Sequence, residues 1–238
     1  MANPEPETSY SGRDNLEAMK RATRYNNFLL ELIRKYSTGK RTLDHGAGAG
    51  TFAVPVAESG KQVICMEPDA DLRADLARSN LEVAASLEEI LDGSVDYAYT
   101  LNVLEHIEDD QGAIAQLHRC LQPGGRLLVY VPAFQSLYSQ MDTHVGHFRR
   151  YRRKPLIRLL QDTGFEIQAA YYVDSLGYLA TLVYKLVGDR SGSVGSGSVA
   201  FYDAVIFPIS RIIDFLSFGS FGKNLTVVAT KSAEPKHD

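Results

Sequence analysis

From Leu16, apolar residues recur at Met19, Ala22, Tyr25, Leu29, Ile33 and Tyr36, the three-to-four spacing of an amphipathic helix. The pattern then changes to short apolar runs at 41–44, 62–66, 95–101, 125–131, 165–172 and 225–230, separated by helical stretches. Strands alternating with helices predict parallel βαβ units. Pro123-Gly124-Gly125 is a turn signal before the apolar RLLVYVP, a strand buried on both faces. Gly164 ends a helix over 156–162 ahead of FEIQAAYY. The interval 173–223 breaks the alternation and contains the run GDRSGSVGSGS at 188–198, so a lid or insertion is expected there. Within 200–218, Asp203, Ser210, Asp214 and Ser217 fall on one narrow helical stripe and leave a wide apolar surface, with Pro208 set to kink or split the helix. The plain reading has that surface covering the core or a homodimer contact; the alternative is a peripheral membrane or lipid-binding role.

A chain of 238 residues is long enough for one large α/β domain and short for two. Residues 1–12, polar and with two prolines, read as a flexible tail, and 13–238 as the single domain. A formal net charge of −4 provides no global attraction to nucleic acid, so the basic run at 149–154 needs a local explanation and no nucleic-acid partner is expected. Cys65 and Cys120 are too few for a disulfide framework and lack zinc-site spacing. The opening MANPEPETSY lacks the blocks of a signal peptide, and no apolar run reaches membrane-spanning length. The expected location is therefore cytoplasmic, with 200–218 allowing peripheral membrane contact.

The most informative segment is TLDHGAGAGT at 42–51, which places glycines at alternate positions between a strand and a helix. Glycine lacks Cβ, so the turn can be tight and its backbone can approach a ligand. The dinucleotide fingerprint G-x-G-x-x-G requires glycine at 51, where this chain has threonine, so NAD is the weaker reading. Asp44 suits a cationic ligand group better than a pyrophosphate. Glu67, about twenty residues past the loop, stands where an acid accepts both ribose hydroxyls. Together they ask for a nucleoside that carries an ammonium.

DHGAGAG at 44–50 resembles the glycine signature of the class I S-adenosylmethionine methyltransferases. The resemblance continues through CMEPDA around Glu67, DYAYTLNVLEHIEDD at 96–110 and LQPGGRLLVYVPA at 121–133, with NLTVVATK at 224–231 as a last strand. It implies a Rossmann-like sheet of seven strands, mostly parallel with the last antiparallel, and helices on both faces. It implies S-adenosyl-L-methionine as cofactor and S-adenosyl-L-homocysteine as product. Gly46, Ala47, Gly48 and Gly50 would pass under the methionine portion, Asp44 would hold its amino group, and Glu67 with Pro68 would meet the ribose. Ser86 and Leu87 would flank adenine, although this chain has Ala84-Ala85-Ser86 where many members carry an aspartate to the adenine amine. Leu101 and Asn102 would line the methionine pocket, while Glu105 and His106, also signature residues, are read as structural.

Ligands of such sheets bind outside the carboxyl ends of the parallel strands, which directs the acceptor to the segment after Pro132. DTHVGHFRRYRRK at 142–154 resembles a G-H-x-R-R-Y signature of a bacterial subgroup of these enzymes. Methyl transfer needs an aligned nucleophile, and a base only where the acceptor is weakly acidic. His147 is the first base candidate and His144 the second, with Asp142 to orient one of them. Arg149 and Arg150 suit a carboxylate or phosphate of the substrate, and Tyr151 packing beside the sulfonium or acceptor. The opposing reading makes these side chains internal braces. No metal is expected, since the histidines and acids show no persuasive ligand pattern.

The function so predicted is S-adenosylmethionine-dependent methylation at O, N or C of a small acceptor, hydrophobic or lipid-linked or anionic. The alternatives are a non-catalytic S-adenosylmethionine-binding module and an NAD-dependent oxidoreductase.

Overall fold

The protein is described here by a computed structural model covering residues 22–187 and 196–233. The expected tail at 1–12, the positions Leu16 and Met19, and most of the Gly/Ser run lie outside the described residues. The first helix, α1, spans Thr23–Tyr36 and buries Tyr25, Phe28, Leu29, Leu32 and Ile33, the face the apolar spacing marks. Alternation follows: β1 (Arg41–His45), α2 (Ala53–Glu58), β2 (Gln62–Met66), α3 (Ala70–Arg78), β3 (Glu82–Ala84), β4 (Val95–Leu101), α4 (Asp110–Cys120), β5 (Leu121–Pro132), α5 (Gln140–His144), α6 (Arg153–Asp162), β6 (Phe165–Val173) and β7 (Asn224–Lys231).

The seven strands form one sheet in the order β3-β2-β1-β4-β5-β7-β6. The pairs from β3 through β5 are parallel, and β7 runs antiparallel to both β5 and β6. The sheet is buried on both sides, so its central strands carry apolar side chains at successive positions. Ala98 and Leu127 join Ile114 and Leu117 of α4 and Leu156 and Leu160 of α6 on one face. Tyr97, Tyr99 and Leu128 join Leu29 and Ile33 of α1, Val56 of α2 and Leu76 of α3 on the other. Strand β5 begins at Leu121, before the expected start at 125. Leu121 pairs with Val95 across a register shift, which lets Pro123-Gly124-Gly125 pass as an irregularity within the strand.

Residues 174–223 lie between β6 and β7. They contain α7 (Ser175–Val187), α8 (Ser196–Phe201), a π-helical turn (Tyr202–Ile206) and α9 (Phe207–Leu216). Pro208 occupies the first turn of α9, where its missing N–H costs least, and the π-turn before it takes up the change of register. Of the expected roles, covering the core is the one this region does not fill: the polar stripe faces the protein and most of the apolar surface faces out. Asp203, Ser210 and Asp214 are buried, whereas Phe215 is 79% and Phe218 90% exposed. Phe201, Val205, Ile209, Ile212 and Leu216 are exposed too, whereas Phe207 is buried against Tyr25 and Phe28, and Val199 and Tyr202 pack partly buried on the same core.

The cause is helix capping at long range. Ala22 offers α1 no side-chain cap, and Asp203 accepts the backbone N–H groups of Arg24 and Tyr25 instead, at 3.0 and 2.9 Å. Asp214 accepts from the N–H of Asp174 (2.8 Å), the N–H of Ser175 (2.9 Å) and the Ser175 hydroxyl (2.6 Å) at the start of α7. Ser210 Oγ accepts the Leu176 N–H at 2.9 Å and donates to Asp174 at 3.0 Å. Helix N-termini leave donors that need acceptors and favour negative charge, so the stripe serves two helices other than its own. Among the described residues no helix is long and apolar enough to cross a membrane.

Candidate active site

The carboxyl ends of β1, β2 and β4 converge on the glycine loop. Gly46, Gly48 and Gly50 have φ of 79°, 53° and 77°, a left-handed conformation that side-chain-bearing residues adopt at a cost. A Cβ on Gly46 would lie 2.4 Å from Val103, so the loop is pressed against the turn after β4. Its floor is fixed by β2: Met66 O accepts the N–H groups of Gly46 (2.9 Å) and Ala47 (3.1 Å). Glu67, the residue after β2, reaches back to accept the Gly48 N–H at 2.7 Å, and its other oxygen accepts the Asp69 N–H at 3.0 Å. Glu67 therefore braces the loop while standing at the strand end.

Asp44 is 4% exposed, and among the described residues its carboxylate accepts one hydrogen bond, from the Tyr99 hydroxyl at 2.8 Å. Burial, with Glu67 nearby, pushes its carboxyl up to about 7 despite that hydrogen bond. A buried acid with one donor and no cation has the chemistry to receive an ammonium, which would restore the charged form. The donor set thus fits the cofactor that the glycine signature implies. Tyr99 was missed at the sequence level, since only the β1/β4 register, Asp44 opposite Tyr99, brings the pair together. Leu87 is buried in the core and Ser86 half-buried at the end of β3, while Pro68 is exposed. Leu101 and Asn102 close β4, with Asn102 at φ 55° and its N–H bonded to Tyr130 O at 2.8 Å.

The segment after β5 lies across the end of β4. Asp142, 1% exposed, is its hub: Oδ1 accepts from His147 Nδ1 at 2.8 Å and from Arg150 Nε at 2.8 Å, and Oδ2 accepts from Arg150 Nη2 at 3.0 Å. Burial alone would raise this carboxyl, but the bonds from His147 and Arg150 hold it down at about 2. Arg149 pairs with Asp110 at 2.8 Å and donates to Glu108 O. Tyr151 is buried and donates to Asp110 at 2.8 Å. The expectation that Arg149 and Arg150 clamp a substrate anion is corrected by this geometry, because internal carboxylates already engage both. Tyr151 is likewise an internal brace, and His144 is exposed at the end of α5, outside the cluster.

His147 has the expected Asp142 beside it and two further neighbours that were not expected. Its Nε2 lies 3.9 Å from Glu105 Oε1, and its ring meets His106 edge-on at 4.6 Å. Glu105 is fully buried, and among the described residues no other residue gives its carboxylate oxygens a hydrogen bond. Burial raises its carboxyl to about 8, opposed by its own backbone N–H and by the charge of Arg150. The basic run beyond also has a site of its own: Arg152, Arg153, Lys154, Pro155, Arg158 and Tyr172 line an open cleft of about 440 Å³. Tyr172 stacks on Phe134 at 4.6 Å, Phe134 meets Tyr178 at 5.4 Å, and Tyr178 meets Phe221 at 6.2 Å. This file of rings runs from Tyr172 in the basic cleft to Phe221, which is itself partly exposed.

Residues 18–170 match the family model described as methyltransferase domain. The chain is 31% identical over 146 residues to a protein of Mycolicibacterium smegmatis described as a probable S-adenosylmethionine-dependent methyltransferase, covering 58% of this chain and 55% of that one. It is 28% identical over 248 residues to an uncharacterised 37.1 kDa protein of a Streptomyces fradiae transposon, covering 93% and 70%. The chain thus spans little more than half of the first relative. Among solved structures, a SAM-dependent methyltransferase of Archaeoglobus fulgidus is similar with TM-score 0.58, 18% identity and coverage of 87% and 94%. A Haemonchus contortus phosphoethanolamine N-methyltransferase in complex with S-adenosyl-L-methionine is similar with TM-score 0.62, 19% identity and coverage of 98% and 62%.

Proposed function

Because the chain belongs to the S-adenosylmethionine-dependent methyltransferases, we propose that it methylates an amphiphilic acceptor, apolar in its body and anionic at one end, presented from a lipid surface. S-adenosylmethionine, when bound, supplies a methyl carried on a sulfonium. Asp44 receives its ammonium, Glu67 its ribose hydroxyls, and the loop 46–50 lets the backbone lie close beneath it. The acceptor would approach at the end of β4, beside the segment 142–151. Methyl transfer depends chiefly on holding the acceptor atom in line, a role that suits this segment with its internal ion pairs.

The observation that carries the acceptor class is the outward apolar surface of α9 in a chain that also has a cleft lined by Arg152, Arg153, Lys154 and Arg158, from which a file of rings leads to Phe221. Large contiguous apolar surface is uncommon on soluble monomers and marks an interface, while arginines suit a carboxylate or phosphate. The test begins with calorimetric titration of S-adenosylmethionine, S-adenosylhomocysteine and NAD. Transfer of a labelled methyl group into solvent-extractable and aqueous fractions of a bacterial extract follows. Saturable binding of the sulfonium cofactor with label in extractable anionic products is expected. Label confined to polar metabolites overturns the acceptor class, binding without turnover reduces the protein to a binding module, and preference for NAD overturns the whole reading.

A further inference from the structure

Glu105, His106 and His147 form a cluster that the fold alone does not explain. Glu105 and His106 sit in the 3₁₀ turn Leu104–His106 just after β4, and His147 arrives from a segment forty residues later. One suitable ligand atom from each residue lies within 4.8 Å of the others. Glu105 is 0% exposed, and among the described residues no other residue gives its oxygens a hydrogen bond, an arrangement expensive to maintain unless something positive sits beside it. Arg150 lowers its carboxyl electrostatically but spends two hydrogen bonds on Asp142 and gives none to Glu105, although its Nη1 has no hydrogen-bond partner among the described residues.

We propose that Glu105, His106 and His147 bind a divalent first-row transition-metal ion of the zinc type, leaving at least one coordination position open for water or an acceptor oxygen. Two imidazoles and a carboxylate make a donor set suited to such ions rather than to magnesium or calcium. The outer contact has the required form, since Asp142 accepts from His147 Nδ1 and so leaves the Nε2 lone pair for Glu105's side of the cluster. Ligand atoms around a four-coordinate zinc stand roughly 3.4 Å apart, so closure by about 1 Å completes the site. Its position at the end of β4, beside the glycine loop, puts an ion where the acceptor enters. In this reading His147 is a ligand and not a base.

The proposal is tested on the purified full-length chain, stripped with chelator and titrated with Co²⁺, Zn²⁺ and, as control, Mg²⁺. One equivalent of Co²⁺ with a visible ligand-field band, displaced by Zn²⁺ but not by Mg²⁺, is expected. Glu105→Gln, His106→Asn and His147→Asn should each weaken binding by about 100-fold, and Asp142→Asn by about tenfold, whereas His118→Asn should leave it unchanged. Glu105→Gln keeps the shape of the buried side chain, and circular dichroism confirms its fold before titration. S-adenosylmethionine binding, measured on the same samples, separates failure of the metal site from failure of the methyltransferase reading. Folded protein that takes up no Co²⁺ at millimolar concentration, or that binds it equally in all four ligand and positioning variants, overturns the proposal.

Discussion

Asp44 and His45 are neighbours on β1, point to opposite faces of the sheet, and respond oppositely to pH. Asp44 sits at about 7 because burial disfavours its charged form, with Glu67 adding to that effect, Tyr99 opposing it and the thiol of Cys65 close by. An ammonium binds the ionised acid, so affinity for S-adenosylmethionine should be full above pH 8 and fall as pH drops through 7, approaching tenfold per unit. Asp44→Asn should abolish that dependence and weaken binding by roughly 2 kcal/mol, about thirtyfold. Calorimetry from pH 6 to pH 8.5 checks both, and a flat wild-type profile removes Asp44 from the ammonium site. His45, 1% exposed and bonded to Thr100 at 3.0 Å, is lowered by burial to about 4. The unfolded chain takes up that proton near pH 6.5 and the folded chain does not. Stability should therefore decline as pH falls from 6.5 to 4, by about 3 kcal/mol from this residue. Urea titrations at pH 7.5 and 4.5 should show the loss in wild type and a smaller one in His45→Asn. The loop glycines and Glu67 were legible from their order along the chain, because a tight turn after a strand is a local requirement. Tyr99 and the Glu105 cluster were not, because each depends on which strand or segment lies alongside.

At the level of elements, α1, the parallel strands and α6 follow from periodicity, since burying one helical face or both sides of a sheet leaves a direct imprint on residue order. The region 200–218 has an equally clear imprint that left its direction open between covering the core and facing a partner or membrane. An amphipathic pattern says that two faces differ, but which one turns inward depended here on open N-termini that Asp203 and Asp214 reach across 178 and 39 residues. Asp203→Ala should destabilise the fold by about 1–2 kcal/mol, the usual value of a helix cap. Asp214→Ala should cost more, about 2–4 kcal/mol, because three buried donors lose their acceptor at once. Denaturant unfolding of both variants is the check. Equal stability to wild type would mean that α9 is held by Phe207 and not by its polar stripe.

For the whole molecule, the family match ends at residue 170, so the outward apolar side of α9 lies outside the matched part. Phe215→Asp with Phe218→Asp should leave the melting temperature and cofactor affinity unchanged, both side chains being exposed. In sedimentation with phosphatidylglycerol vesicles the wild type should pellet and the double variant remain in solution. If the same pair instead abolishes a concentration-dependent dimer in analytical ultracentrifugation, a second copy is the occupant. By itself the sequence determined the α/β class and, through the family resemblance of its glycine loop and the motifs that follow, the cofactor, because each rests on residues adjacent in the chain or on one repeating period. Tertiary structure alone decided which face of α9 meets solvent, that Arg149 and Arg150 serve internal carboxylates, and that Glu105 and His106 meet His147. Those outcomes depend on partners far apart in sequence, brought together by sheet order and by the need of buried donors and charges for a partner.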